Sequence, residues 1–396
     1  MESIFILGAS RLQLAAIKEA KKRGLYVYVL DYDPEAVGIA YADQYLPVST
    51  IDKEEVLKAA KMYKPDYITT STSDMPVRTV SWVCEKLGYK SGISYEDSIA
   101  ATDKTVMRRR LKECGVPIPT FKVIHNIDEF LVAVNDMPQQ FVIKPADNAA
   151  SRGVVFMDKN ESHDWKEVYE YSHQFSRGGD ILIEEFMTGP EVSVEAFTVK
   201  GQSRIITITD KMITEIPYFV EIGHTEPSRL TEEEQNDIRN VALAAIKAIN
   251  IQDGPSHTEI KVTPQGAKIV EIAARLGGDF ITSNLVPLST GVNMTECSME
   301  SVLGAPVDWN IKYNKGAAIR FIQSDQGVFD HAEGIDKALA IDGIQEIEIY
   351  KNSGDNIKVL ASSSDRVGHV IALGLDADDA AHKCDLALAE IKVVLK

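Results

Sequence analysis

HTEIKVTPQGAKIVEIAARLGGD, residues 257–279, is the stretch from which the rest of the chain is read. Two aliphatic runs, each carrying one Glu, flank Pro264-Gln265-Gly266. Such runs around a short turn form a β-hairpin, which sets Glu259 beside Glu271. Both carboxylates lie among Ile260, Val262, Ile269, Val270 and Ile272. Hard divalent cations take oxygen ligands and commonly bridge carboxylates to phosphates. Arg275 follows Glu271 by four residues, and period-two alternation puts both on one face of the strand. The stretch reads as a cation site with a guanidinium beside it. The plainer reading, two solvated carboxylates on a surface hairpin, is opposed by the apolar neighbours.

Upstream, an apolar strand at 141–144 ends in Lys144-Pro145. A Lys there is costly to bury unless an anion pairs with it. A loop of small residues to Gly153 and a return strand at 154–157 follow. Strand, small-residue loop, strand is the shape of a flap whose backbone N–H groups approach phosphate oxygens, although one Gly also suits an ordinary hairpin turn. Residues 181–198 read as two strands with a bent connector. Glu184, Glu185, Phe186 and Met187 there offer backbone donors and acceptors beside an apolar surface, as an adenine ring requires. Glu191, after Gly189-Pro190, suits ribose hydroxyls.

Residues 1–90 alternate strands (4–7, 26–31, 67–70) with helices (11–23, 53–63, 76–87), which implies a parallel sheet with crossover helices. The first turn, from Gly8 to Gln13, lacks the full GxGxxG pattern, although Asp31 sits where a ribose-binding acid would in a dinucleotide fold. A substrate-binding or structural role suits this turn better. A basic helix is expected at 97–112, stopping at Gly115 and Pro117, and its Arg run suits a solvated face and a functional one equally. An amphipathic helix at 232–249 opens with the Thr231/Glu234 capping box. From Val302 strands alternate with helices up to a C-terminal helix at 377–394. Arg366 and His369 in this tail read by default as exposed surface, with closing one wall of the site as the alternative.

At 396 residues the chain calls for two or three domains. Its 44% hydrophobic and 26% charged content is that of a globular protein. A net charge of −17 excludes broad nucleic-acid binding. No apolar run approaches the roughly 18–20 residues of a membrane span. No secretory pattern opens the chain, so a cytoplasmic protein is expected. Four scattered cysteines without CxxC spacing imply reduced thiols and no structural zinc.

Taken in order, these elements resemble the ATP-grasp superfamily across nearly the whole chain. Within it, the runs EIGHTEPSRLTEEE (221–234), HTEIKVT (257–263), EIAARLGGDF (271–280) and SSSDRVGHVIALG (362–374) look most like carboxylate–amine ligases that include bacterial L-amino-acid ligases. Biotin carboxylase and purine-pathway members are cousins. The resemblance implies a mixed α/β and α+β multidomain protein with an ATP-grasp fold. Its parts would be an N-terminal α/β domain (1–95), an ATP-grasp domain (96–300, with a flap at about 118–188) and a C-terminal α+β domain (301–396).

It implies ATP with Mg²⁺, or Mn²⁺ in its place. Lys104 and Lys144 would contact phosphates, and the loop with Ser151, Arg152 and Gly153 would close over them. Glu184–Met187 would line the adenine pocket, Glu191 would bind ribose, and Glu259 and Glu271 would hold the metal. Arg275, with Lys144, would be catalytic. His224, Arg229, His257, Gly277 and Gly278 are candidate substrate contacts. One departure is Ala273, where many members have an Asn ligand, which leaves open one metal ion or two. The activity expected is amide-bond formation between a small-molecule carboxylate and an amine through an acyl phosphate. A kinase-type relative and a non-catalytic nucleotide binder are the alternatives. Dimerisation is common in the superfamily, and the oligomeric state stays open.

Overall fold

The computed structural model describes residues 1–147, 153–214 and 219–396. The N-terminal strands pair in parallel, in the order Gln44–Leu46, Tyr26–Leu30, Ser3–Leu7, Tyr67–Thr70. Along the central strand, Phe5 and Leu7 share a core with residues of the helices Lys53–Tyr63 and Met75–Leu87. Ile4 and Ile6 share the opposite core with Ile17 and Ala20 of the helix Leu14–Lys22. Burial on both faces is why this strand reads as an unbroken apolar run. Asp31 Oδ2 accepts the Ala9 N–H at 2.8 Å, so this acid fixes the first turn from within.

Next comes a small antiparallel sheet, ordered Phe121–Ile124, Ile181–Glu185, Gln140–Pro145, Val155–Asp158. The helices Ile127–Asp136 and Trp165–His173 pack on it around Phe130, Phe141 and Tyr169. The third layer is an eight-stranded antiparallel sheet. Its order is Gly266–Ala273, Gly254–Thr263, Glu191–Val199, Gln202–Ile213, Glu221–Glu226, Gly316–Ile322, Gly368–Gly374, Ile344–Ile349. The sheet runs across residue 300 without a break, because Glu221–Glu226 pairs directly with Gly316–Ile322. The helix Glu232–Ile249 covers one face, and both halves of its capping box form.

Three expected elements differ. The basic helix at 97–112 is two helices, Tyr95–Ala100 and Lys104–Glu113. Asp103 starts the second by accepting the Thr105 and Val106 N–H groups, the satisfaction that a helix N-terminus requires. The helix at 11–23 opens with a 3-10 turn, Arg11–Gln13, and becomes α-helical at Leu14. The C-terminal helix stops at Glu390, and Lys392–Leu395, with its two valines, forms a strand on Gly327–Glu333.

Candidate active site

The Gly254–Thr263/Gly266–Ala273 hairpin forms, but not as a simple ladder. From the turn outward, Thr263 faces Gly266 and Ile260 faces Ile269. Regular pairing would then put Val270 opposite Glu259 and turn Glu271 to the other face. Instead the register shifts, leaving Val270 as an extra residue, and Glu259 faces Glu271. Such a bulge re-aims a side chain at the cost of one ladder position. Its carbonyl is not wasted. Arg108 Nη2 donates to the Val270 oxygen at 2.7 Å. Arg108 is fully buried and also grips Glu184, at 2.5 Å and 3.3 Å. The sequence left Arg108 open between a solvated face and a functional one; the carboxylate and the bulge carbonyl are what draw it inside.

Two cavities meet at this hairpin. The first, about 170 Å³, lies between the small sheet and the large one. Lys104, Lys144, Glu184, Glu185, Phe186, Met187 and Glu191 line it. The second, about 200 Å³, is polar and draws Asp74 from the N-terminal domain, Ser363 from the tail, and His224, His257, Arg275 and Gly278. Lys211, Glu221, Glu259 and Glu271 line both. The wall between the cavities is therefore three carboxylates and one ammonium.

Lys211 was not anticipated. Its side chain is 3% exposed, and its Nζ lies 2.8 Å from Glu191, 2.8 Å from Glu259 and 3.6 Å from Glu221. Burial works against its charge, but Glu191, Glu259 and Glu221 outweigh that and hold the ammonium well above its usual range. Burial likewise opposes ionisation of Glu259, yet Lys211 and His257 keep it well below the carboxylate range. Glu271 pairs with Lys104 at 2.9 Å. Glu184 is held down at about 2, the Arg108 and Lys144 charges overcoming its burial. Lys144 lies 2.5 Å from it. Glu185 pairs with Lys268, and Phe186 meets Phe156 edge-on.

The strand that carries Glu271 ends at Ala273, so alternation does not place Arg275. Asp74 does, accepting from Arg275 Nε at 2.5 Å, and Arg275 Nη1 donates to the Leu276 carbonyl. His257 Nδ1 is 2.5 Å from Glu195, and its Nε2 is 3.6 Å from Glu259. Burial lowers its basicity, but Glu195 and Glu259 raise its pKa to about 9. His224 approaches Asp279 at 3.4 Å.

Arg366, read as surface, is buried. Both its Nη atoms bond Asp279 at 2.8 Å, and its guanidinium lies 3.6 Å from the Phe321 ring centroid. His369 is fully buried too, against Phe280 and Tyr350. A charged tail residue reads as exposed only until its acid partner is known. Asp279 and Phe280 both adopt left-handed φ, of 50° and 63°, a strain that persists where the surroundings fix it.

Not every candidate converges. Arg229 lies outside both cavity linings, against Asp210 and Asp378. Gly277 lies behind the second cavity rather than on it, and Gly153 lies behind the first, tight against Pro145 and Phe175. Ser151 and Arg152 fall outside the described residues. Glu221, Glu195 and Asp74 were missed because each is a lone acid with no distinguishing spacing.

The cleft between the two antiparallel sheets thus has paired carboxylates on its wall. Residues 137–283 match the ATP-grasp domain, and residues 320–396 match L-amino acid ligase C-terminal domain 2. The chain thus carries an ATP-grasp domain followed by a C-terminal domain of the L-amino acid ligase kind. Alanine–anticapsin ligase of Bacillus subtilis (strain 168) is 25% identical over 70% of this chain and 62% of its own length. The chain thus spans less than two thirds of that relative. An L-arginine-specific L-amino acid ligase of Bacillus subtilis is 22% identical over 80% of this chain and 76% of its own. The crystal structure of L-amino acid ligase from Bacillus licheniformis shares the fold, with a TM-score of 0.85 at 20% identity over 100% of this chain and 99% of that one.

Proposed function

We propose that the chain joins a small-molecule carboxylate to an amine at the expense of ATP, through an acyl phosphate, with amino acids as the substrates. The observation that carries this is the shared wall. One cavity for a nucleotide and one for a polar substrate have Glu259, Glu271, Lys211 and Glu221 as their common lining among the described residues. The names of the relatives support amino acids as partners.

In this reading the adenine lies along Glu184–Met187 and the ribose at Glu191. Lys104 and Lys144 neutralise phosphate oxygens. Ionised Glu259 directly opposite Glu271 suits a hard divalent cation, so these two would hold Mg²⁺, which supplies charge neutralisation on the phosphates. The substrate carboxylate in the second cavity attacks the γ-phosphorus, and ADP leaves. Arg275, fixed by Asp74, faces the charge that develops on the acyl phosphate. An amine then attacks the carbonyl carbon, and inorganic phosphate departs with the C–O bonding pair. Closure of the small sheet over the cleft keeps water from the intermediate. His224, His257 and Gly278 contact the substrates. The scattered thiols support a reducing, cytoplasmic setting.

The test is ADP release with Mg²⁺-ATP against pooled carboxylates, with and without pooled amines, followed by mass spectrometry. A condensed product that needs both pools is expected. A stable phosphorylated product from one pool alone would make the protein a kinase. Arg275→Ala should keep nucleotide affinity and lose about a hundred- to thousandfold in turnover. Near-normal turnover in that variant would remove Arg275 from the chemistry.

A further inference from the structure

We infer that Glu195 is a positioning residue for the ligase reaction, acting through His257. The inference rests on the ligase reading for its kinetic consequence, but its geometry stands alone.

Glu195 lies in the strand Glu191–Val199, directly opposite His257 in the neighbouring strand. Its side chain is completely buried. One oxygen is 2.5 Å from His257 Nδ1, and the other has no hydrogen-bond partner among the described residues. A buried carboxylate with half its acceptor capacity unmet is expensive, and apolar side chains would fill a strand interior more cheaply. The backbone closes over the pair from behind. A Cβ on Gly277 would lie 2.8 Å from both Glu195 oxygens and 2.9 Å from His257 Nδ1. No side chain fits there, so the absence of one is what lets the 277 backbone seat the imidazole.

The consequence is directional. With Nδ1 committed to Glu195, the ring donates a proton there and cannot turn over. Nε2 is then the nitrogen presented to Glu259, 3.6 Å away, at the edge of the second cavity. A hydrogen bond on one ring nitrogen fixing the role of the other is the general way proteins aim histidine. Glu195 lines neither cavity, so its contribution to the second cavity passes through His257.

The experiment is a double-mutant cycle on the full chain with Glu195→Gln, His257→Gln and the double variant. Turnover uses the amino-acid pair found fastest in the substrate panel, and nucleotide affinity is followed with a fluorescent ATP analogue. Glu195→Gln should lower kcat by about tenfold or more, with KM for ATP and the melting temperature near those of the parent. In the His257→Gln background it should change nothing further. Independent, multiplying losses would overturn the proposal, as would an unchanged kcat. Glu195→Asp keeps the charge but withdraws it from Nδ1, so a partial loss that falls between parent and Gln variant is expected. Nitrogen-15 spectra of histidine-labelled protein read the ring directly. The His257 Nδ1 signal, assigned by its loss in His257→Gln, should move in Glu195→Gln. If no amino-acid pair turns over in the parent, the ligase reading fails, and an unmoved Nδ1 signal would separately dispose of the pairing.

Discussion

Lys211 is the residue on which the site's charge balance turns. Three carboxylates, Glu191, Glu221 and Glu259, lie around one ammonium, and all but Glu191 line both cavities. Removing the ammonium leaves like charges facing one another with little water to screen them. Lys211→Met keeps the length and volume of the side chain, so it isolates the charge. We expect turnover to fall by about a hundredfold and nucleotide affinity to weaken, measured by ADP release and by titration with the fluorescent analogue. A loss of threefold or less would reduce Lys211 to a packing role. The residue was illegible in sequence for a physical reason. A single Lys after Asp210 in a long strand looks like a solvated edge, and its acid partners come from three other strands. Glu259 and Glu271 were legible because both lie close to one turn among aliphatic neighbours. Glu195 and Arg366 are known for what they are only once their partners are seen.

Elements carry the next level of precision, and the hairpin bulge is the informative one. The sequence shows two strands and a turn, and from these the juxtaposition of the two carboxylates follows only loosely. It does not show that Val270 is squeezed out of the ladder, nor that Arg108, 162 residues earlier, holds its carbonyl. The helix Lys104–Glu113 therefore does two jobs. Its first residue reaches Glu271, and Arg108, one turn on, ties Glu184 to the bulge. Asp103 sets the helix start and so the phase of both. Arg108→Met should strip Glu184 of one cation, leave Lys144 as its partner, and free the Val270 carbonyl. Breaking a buried pair from one side costs about 3–5 kcal/mol. The retained Lys144 places the expectation at the lower end. Urea unfolding measures it, and Mg²⁺-ATP should bind more weakly because the carboxylate register loosens. A variant as stable as the parent would mean that the bulge holds itself.

At the scale of the whole molecule, sequence reading recovered the succession of layers but not their fusion. Strands of the tail insert beside Glu221–Glu226, so the segment after residue 300 completes the large sheet besides forming a small one of its own. That order cannot be read from local patterning, since Gly316–Ile322 bonds a strand some ninety residues earlier. Glu226 sits at this seam, opposite Ala317 and fully buried, with Thr209 and Ser289 at 2.8 Å and 2.7 Å. Burial, helped by the Glu195 charge and opposed by the two hydroxyls, pushes its pKa up to about 8 from an ordinary 4.5. Below pH 4.5 the group is neutral whether the chain is folded or not. Between about 4.5 and 8 only the unfolded chain gives up its proton, so the stability Glu226 contributes is full at low pH and drains away as pH rises. Above 8 the slope ends. Glu226→Gln keeps the shape and cannot ionise. Relative to the parent it should therefore gain up to about 1.4 kcal/mol per pH unit across this window. His257, also held protonated by its neighbours, slopes the same way in both proteins and cancels from the difference. Urea unfolding at three pH values between 5.5 and 7.5 checks it, and parallel profiles would show that the seam tolerates the charge.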